Sequence, residues 1–491
     1  MSALAHVPAP SGAASQLREG MGSRSLRNTT LVLAARVLSR LVALLTVGLM
    51  TGYLLAPDYG RFQLLITVSG LVTVVLDLGF NTLFTREAAR RPAEISRYLG
   101  NLIPVRLLFA PLALLAFALA LWPLDLAQFL LPGFVLMLVT SFSNLLRGAL
   151  YAVQRLAFEA VAIVAESLIL IALVLFGIRT KQGLPFFLWA YAASYGFSCI
   201  FFALVLRLRG LARLELHFEP QLIRRWLWAG LPFALTLVIT GIYFKIDQPI
   251  LKGMRGFTEA GWYGAAYKPF EALLFVPLSM LNVVFPALAV HHREGTGQVG
   301  WAVNRFYKAL LLLGWPATVG LFLLTDAFRV IYQYPEATPA LRILSLGVVF
   351  MFISTAFTGA LNAIDRQALF TVAALGSMVV NVACNLILIP LYGYLGASAA
   401  TVLTEAALSL LGAVLVFRHL GRMPLFRLSW RVLLAGLVMG AALYPFQHRT
   451  GVTALLVIAG GALVYGLALL VLRALDEQEW ALVRRALGRT S

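Results

Sequence analysis

Long apolar stretches recur along the chain and are separated by short segments rich in Arg, Gly and Pro. Each stretch holds roughly 20 residues with few charges, the length that an α-helix needs to cross a hydrocarbon layer about 30 Å thick. The pattern predicts an all-α membrane protein of about fourteen transmembrane helices, at 31–55, 62–85, 98–121, 127–150, 156–178, 184–206, 226–251, 262–290, 307–325, 341–363, 368–390, 395–417, 430–446 and 452–472.

The composition supports the same class of protein. Of the 491 residues, 60% are hydrophobic and only 12% are charged, and the mean hydropathy is +0.87. Soluble domains use roughly 45–50% apolar and about 25% charged residues. A water-soluble fold is therefore excluded. Residues 1–30 contain no apolar run and are expected to form a flexible cytoplasmic tail.

The formal charge of +18 could indicate a nucleic-acid partner, but the placement of the positive residues argues against one. If the amino terminus is inside, 26 of the 39 Lys and Arg residues fall in cytoplasmic segments, as the positive-inside rule requires. The sequence thus predicts a multi-pass protein of the bacterial inner membrane with both termini in the cytoplasm. Membrane lipids, and no nucleic acid, are the expected surroundings.

An internal repeat divides the chain. Residues 148–155 read GALYAVQR and residues 359–366 read GALNAIDR, at an offset that contains six predicted spans. Because six is even, the two copies enter the membrane in the same direction. Chance similarity between Leu- and Ala-rich helices is the alternative. Further matches in nearly the same register are Leu184 with Leu395, Arg207 with Arg418, Gly210 with Gly421, and Tyr59-Gly60 with Tyr263-Gly264.

The repeat predicts two parallel six-helix bundles that face a central cavity. The expected segments are a tail (1–30), an N-terminal bundle (31–210), a cytoplasmic linker (211–225), a C-terminal bundle (226–421), and an appended helix pair with a cytoplasmic tail (422–491).

At residues 56–90 the sequence APDYGRFQLLITVSGLVTVVLDLGFNTLFTREAAR resembles the first two helices of bacterial polysaccharide and O-antigen flippases of the Wzx type. These belong to the multidrug/oligosaccharidyl-lipid/polysaccharide exporter superfamily. The likeness extends from about residue 30 to residue 421. The residues that carry it are Pro57, Tyr59, Gly60, Asp77, Gly79, Arg86, Asp247, Tyr263, Gly264, Lys268, Pro286, Gly396 and Ala397.

This resemblance implies a two-bundle fold and an activity. The chain would move undecaprenyl-pyrophosphate-linked oligosaccharides from the cytoplasmic to the periplasmic leaflet by alternating access, for O-antigen, capsule or exopolysaccharide synthesis. Its partners would be the lipid-linked oligosaccharide and membrane lipids, with a polysaccharide polymerase and glycosyltransferases as further candidates. Drug-exporting relatives usually have twelve spans, so about fourteen favours the lipid-linked glycan branch.

Five cations fall inside the predicted spans, where a charge costs a few kcal/mol or more and so indicates function. Arg40 is roughly 15 Å deep and Arg106 roughly 12 Å deep, at 1.5 Å per residue. Both are expected to line a cavity. A pyrophosphate held there needs cations that form charge-assisted hydrogen bonds. The candidate substrate-binding residues are Arg36, Arg40, Arg106, Lys245 and Lys268.

Five acids are candidates for coupling to a proton or another cation, and Asp77 is the foremost. Several have a structural alternative: Lys268 and Glu271 have the spacing of an ion pair within one helix, Lys245 and Asp247 could contact headgroups, and Glu166 and Glu405 could satisfy neighbouring helices. Pro269, Pro277 and Pro286 predict a bent eighth span. The coupling candidates are Asp77, Asp247, Glu271, Glu166 and Glu405.

Catalytic and cofactor motifs are missing from the sequence. It contains no GxxxxGK[ST] loop, no CxxC pair, no HExxH and no Gly-rich dinucleotide loop, and its two cysteines lie in apolar spans. No catalytic residue, cofactor or metal is therefore expected. The alternatives are a cation-coupled multidrug antiporter of the same superfamily, a membrane glycan polymerase or ligase, and an assembly scaffold. The sequence leaves open the sugar, the driving ion, the oligomeric state and the pathway.

Overall fold

The computed structural model describes residues 12–294 and 296–476, and every regular element among them is helical. The first half contains α1 (Gly12–Tyr53), α2 (Ala56–Asp77), α3 (Phe80–Arg90), α4 (Ile95–Leu121), α5 (Leu130–Ala152), α6 (Leu156–Arg179) and α7 (Leu184–Leu208). The second half contains α8 (Pro220–Lys245), α9 (Asp247–Arg255), α10 (Phe257–Leu273), α11 (Phe275–Glu294), α12 (Thr296–Leu323), α13 (Ala337–Ala363), α14 (Gln367–Tyr392), α15 (Tyr394–Leu420), α16 (Leu425–Leu443) and α17 (Gly451–Val471).

Fourteen segments of the described chain are long and apolar enough to cross a membrane. This count confirms the all-α membrane class and the number of spans read from the sequence. The bounds differ most for the second span, which runs Ala56–Asp77 and not 62–85. The chain turns at Leu78 and Gly79, both with positive φ, and residues 80–90 form the separate short helix α3. Gly tolerates this left-handed conformation at no steric cost.

The beginning of α1 corrects another expectation. The segment 1–30 was expected to be a flexible tail, but the helix begins at Gly12. Between residues 12 and 30, Ala, Leu, Arg, Gln, Glu and Met together supply ten of the nineteen residues, and their high helix propensity offsets the three glycines. Residues 1–11 lie outside the described part of the chain, as do residues 477–491 of the expected carboxyl-terminal tail.

Two spans are interrupted where a proline removes a helical hydrogen bond. The seventh span ends at Lys245, and α9 begins at Asp247. Pro249 cannot donate to the carbonyl of Lys245, four residues earlier. The eighth span is interrupted between α10 and α11. Pro277 likewise cannot donate a hydrogen bond to the carbonyl of Leu273, four residues earlier. The bend predicted for the eighth span is present, and a second break, at Ile246, carries Asp247 at its edge.

Inter-residue contacts divide the chain into two compact units. Unit 1 comprises residues 1–43, 75–114 and 134–233, and unit 2 comprises residues 44–74, 115–133 and 234–491. The core of unit 1 packs α3, α4 and α5 around Phe84, Leu99 and Leu150, each fully buried. In unit 2 the fully buried Phe352 and Phe357 lie on α13, which packs against α12 and α15.

Within unit 2, glycine residues allow the backbones of α2 and α10 to come into contact where the two helices cross. A Cβ atom on Gly60 would lie 2.1 Å from the carbonyl oxygen of Phe257, and one on Gly261 would lie 2.1 Å from that of Ala56. Gln63 of α2 also donates a hydrogen bond to the carbonyl of Gly264 at 3.4 Å. Small residues permit such backbone contact between membrane helices. The Tyr59-Gly60 and Tyr263-Gly264 pairs, which matched in the sequence, therefore lie at one crossing.

Gly60→Ala is expected to destabilise this crossing by about 1–3 kcal/mol, because the added methyl group meets rigid backbone. Thermal unfolding of the purified protein would measure the loss. Gly70→Ala is the matched control on the same helix, since a Cβ atom there meets no described atom within 4 Å. Equal unfolding temperatures for the two variants would show that the close crossing does not contribute to stability.

Candidate functional site

Arg106 of α4 lies in the interior of unit 1 with no exposed surface. Its guanidinium donates hydrogen bonds to Asp77 at 2.9 Å, Asn81 at 2.7 Å and the hydroxyl of Ser141 at 2.7 Å. It also donates to the backbone carbonyl of Ser141. The turn at Gly79 directs the end of α2 and the start of α3 towards this position, so both acceptors reach the guanidinium.

These contacts correct two expectations. Arg106 does not face a cavity, since protein groups surround it completely. Asp77 is not an uncompensated carboxylate, because it forms an ion pair with Arg106 and accepts the backbone N–H of Asn81 at 3.1 Å. A buried guanidinium requires such partners, since desolvation without them costs several kcal/mol. The pair holds α2, α3, α4 and α5 together.

The two arginines of α1 have different surroundings. Arg36 forms an ion pair with Glu159 at 3.0 Å and donates to the hydroxyl of Tyr151. Arg40, one turn further on, is exposed, and within the described chain it forms neither a hydrogen bond nor an ion pair. Ser39 bonds to Ser167 at 2.8 Å and holds this part of α1 against α6. Arg40 is therefore available to an external anion.

Glu166 also lies in unit 1, and its contacts fit the structural alternative. It accepts a hydrogen bond from Ser198 of α7 at 2.5 Å and lies 3.5 Å from the guanidinium of Arg147 on α5. The carboxylate thus connects α6 to two neighbouring helices.

In unit 2, two lysines share one acid. The ammonium groups of Lys245 and Lys268 lie 2.8 Å and 3.1 Å from the two carboxylate oxygens of Glu271. The predicted Lys268–Glu271 pair is present, and Lys245 joins it from the end of α8. The three side chains are each about 26–33% exposed. The two lysines and Glu271 thus form a partly accessible charged group that joins α8 to α10.

Asp247 is buried, and the side chains that donate hydrogen bonds to its carboxylate are neutral. Its carboxylate accepts hydrogen bonds from Tyr263 at 2.8 Å, Asn385 at 2.8 Å and Thr401 at 2.9 Å. Only 3% of the surface of Asp247 is exposed. The residue therefore does not contact lipid headgroups, which was the structural alternative for it in the sequence. The helix break before α9 positions Asp247 against α10, α14 and α15.

An unused oxygen atom accompanies this carboxylate. On α14, Asn385 Oδ1 is buried without a hydrogen-bond partner among the described residues. Together with Asp247 and Thr401, it forms a group of oxygen atoms of the kind that hard cations prefer. The described residues contain no cluster of three or more His, Cys, Asp or Glu side chains that could hold a metal ion.

Glu405 is buried on α15, one helical turn beyond Thr401. It accepts a hydrogen bond from the hydroxyl of Tyr243 at 2.9 Å, and Tyr243 packs against Phe244 on α8. No described cation forms an ion pair with it. Glu405 thus connects α8 to α15, which fits the structural alternative, and like Asp247 it is buried without an ion-pair partner among the described residues.

The family is decided by a comparison of the sequence with models of known families. The model described as "Polysaccharide biosynthesis protein" matches residues 25–292, more than half of the chain. The chain belongs to this polysaccharide biosynthesis family. A relative is an uncharacterised membrane protein of Methanocaldococcus jannaschii, 23% identical over 191 residues, which are 38% of this chain and 45% of the relative. The match thus spans less than half of that relative's length.

Solved structures show the fold of this polysaccharide biosynthesis protein. The lipid II flippase MurJ in an inward closed conformation superposes with a TM-score of 0.76 at 16% identity, over 94% of this chain and all of that one. An inward-facing multidrug resistance transporter of the MATE family, in the MOP superfamily, superposes with a TM-score of 0.68 at 14% identity, over 80% of this chain and 98% of that one. Both are named as transporters or flippases, not as enzymes.

Several site residues of the polysaccharide biosynthesis protein were missed by sequence reasoning because they are uncharged. Tyr263 was noted only as part of the resemblance, and Asn385 and Thr401 were not singled out. A signal was available on α14, where polar residues recur every four positions in an otherwise apolar helix, at Ser377, Asn381 and Asn385. This spacing places them on one face.

Proposed function

We propose that the chain is a flippase that moves undecaprenyl-pyrophosphate-linked oligosaccharides between the leaflets of the membrane by alternating access. Membership of the polysaccharide biosynthesis family supports a role in glycan assembly. The fold, shared with a lipid II flippase and a multidrug transporter, supports transport. The substrate class is inferred from the charges that these spans carry.

The observation that carries the proposal is the set of accessible cations within the spans. In unit 2, Lys245 and Lys268 both contact Glu271, and all three side chains are partly exposed. In unit 1, Arg40 is exposed and forms neither a hydrogen bond nor an ion pair within the described chain. A pyrophosphate carries at least two negative charges, and charge-assisted hydrogen bonds from Arg and Lys would stabilise it in a site of low dielectric constant.

The repeat and the charge distribution complete the proposal. We infer two parallel six-helix bundles, 31–210 and 226–421, with the appended pair beyond residue 421. The matching Tyr-Gly pairs, which meet where α2 and α10 cross, support an internal repeat. From the positive-inside rule we infer that both termini lie in the cytoplasm.

Purified protein in proteoliposomes would test the function. Fluorescent undecaprenyl-pyrophosphate oligosaccharide added to one leaflet should appear in the other at a rate that depends on the protein. A cationic drug should neither be transported nor compete. Drug transport without glycan movement would instead support the multidrug antiporter.

Asp247 favours coupling of the transport cycle to a cation. A carboxylate surrounded by neutral donors and one unused amide oxygen could bind a proton or Na⁺, and either would neutralise its charge. The site connects α9, α10, α14 and α15, so occupancy would change how these helices pack. Such differential binding is what shifts a conformational equilibrium.

Asp247→Asn is expected to slow glycan movement by about tenfold or more and to remove its dependence on an ion gradient, since coupling energies are typically about 1–3 kcal/mol. Rates in proteoliposomes with imposed proton and sodium gradients would measure both effects. Asp365→Asn, on the exposed turn between α13 and α14, is the matched control. A variant at position 247 that still responds to the gradient would exclude this residue as the coupling site.

A further inference from the structure

A second concentration of positive charge lies away from the residues discussed so far, in unit 1. It is a pocket of about 470 Å³ between α3, the start of α4 and the start of α8. Five arginines line it, together with one acid and several apolar side chains. The lining residues are Leu83, Arg86, Glu87, Arg90, Arg91, Arg97, Tyr98, Leu222, Arg225, Trp226 and Ala229.

The protein neutralises only part of this charge. Glu87 lies 3.1 Å from Arg86 and 3.5 Å from Arg90, so two guanidinium groups share one carboxylate. Arg91 and Arg225, both exposed, form no ion pair or hydrogen bond with the side chains of the described chain. The pocket therefore retains at least two guanidinium groups that can bind an anion.

Arg97 has a different role, because acids on both sides fix its position. It lies 2.5 Å from Glu219 and 3.0 Å from Glu94. The hydrogen bonds from Arg97 lower the pKa of Glu219, so this acid stays ionised. Asn101 donates to the same carboxylate at 3.4 Å, and the backbone N–H of Glu219 donates back to Asn101 at 2.7 Å. This network holds the start of α8 against α4 and gives the pocket a defined shape.

The pocket also lies at the level of a membrane surface. The third span begins at Pro92 and the seventh at Pro220, and both beginnings contribute to the lining. Trp226 forms part of the wall, packed on Tyr98 with ring centroids 4.9 Å apart, and Trp228 beside it is 71% exposed. Tryptophans at a span end are typical of the headgroup region. An occupant would thus meet guanidinium groups on one side and apolar side chains on the other.

We propose that this pocket binds the phosphate headgroup of an anionic phospholipid. Arginine forks match phosphate oxygens, and basic pockets between transmembrane helices bind anionic lipid headgroups. The apolar part of the lining suits the glycerol backbone and the first methylenes of the acyl chains, which free phosphate lacks. The pocket lies at the beginnings of two spans, and its lining residues all belong to unit 1.

The test is native mass spectrometry of the purified full chain, titrated with phosphatidylglycerol and, in parallel, with phosphatidylcholine of the same acyl chains. The wild type should bind phosphatidylglycerol more tightly, and the double variant Arg91→Gln/Arg225→Gln should weaken that binding by about tenfold or more. Arg224→Gln/Arg427→Gln removes the same number of exposed charges outside the pocket and should leave the affinity within about twofold of wild type. An unchanged unfolding temperature without lipid would confirm that the variants fold.

Three results would overturn the proposal. The first is no preference for phosphatidylglycerol over phosphatidylcholine. The second is an equal loss of affinity in both double variants, which would indicate general surface charge. The third is displacement of phosphatidylglycerol by inorganic phosphate at similar concentration, or by undecaprenyl pyrophosphate at much lower concentration, which would assign the pocket to a free anion or to the transported lipid. The assay does not depend on transport, so it can fail or succeed independently of the proposed flippase activity.

Discussion

Arg40→Gln is expected to reduce movement of the lipid-linked oligosaccharide by about tenfold to a hundredfold, because a hydrogen bond to a charged group contributes about 1.5–3 kcal/mol. Arg40 lies eight residues into a span that begins at Val32, about 12 Å along the helix. It is exposed and forms neither a hydrogen bond nor an ion pair within the described chain. Its removal therefore leaves no buried group unpaired, and the unfolding temperature should not change.

Arg40→Lys should restore only part of the rate, since an ammonium keeps the charge but lacks the planar fork that binds two phosphate oxygens. Arg366→Gln, at an exposed turn, is the control for loss of one positive charge. Rates are measured with labelled substrate in proteoliposomes. If Arg40→Gln transports normally and only the Asp247 or Glu405 variants fail, the anion-binding model is wrong, and the cation-antiporter interpretation replaces it.

Arg106→Gln should behave in the opposite way, with a loss of about 3–5 kcal/mol in the free energy of unfolding. The substitution leaves the carboxylate of Asp77 buried without its counter-charge. Protein level in the membrane should fall accordingly. Thermal unfolding in detergent and quantification of membrane-inserted protein would measure both effects.

The double variant Asp77→Asn/Arg106→Gln tests the reason for that loss. Because it removes both charges, it should recover part of the stability that Arg106→Gln loses. A stable, fully inserted Arg106→Gln protein that cannot transport would contradict the structural role and would support the sequence-based prediction that Arg106 contacts substrate.

Arg40 and Arg106 both lie deep in spans of unit 1, yet only Arg106 is buried against protein groups. Both were predicted to line a cavity because both lie deep in apolar spans. Depth along a helix follows from residue number, but the direction of a side chain depends on how the helix is rotated against its neighbours. Arg106 is fully enclosed within the unit, whereas the side chain of Arg40 is exposed.

The sequence by itself determined the class of the protein, the number of spans and the family. A bilayer imposes a local requirement, roughly 20 apolar residues for each span, and hydropathy along the chain reports it directly. Proline acts locally too, which is why the break near Pro277 could be predicted. The same holds for Lys268 and Glu271, whose pairing depends only on their separation by three residues in one helix.

Only the tertiary structure decided which polar groups meet across helices. Asp77 and Arg106 are 29 residues apart in sequence, and Asp247 is 138 residues from Asn385 and 154 from Thr401. Such pairings depend on helix rotation and on the turns between helices, such as the one at Gly79. They also depend on the requirement that a buried charge or amide find a partner among whatever groups the packing places nearby. No local pattern encodes that choice.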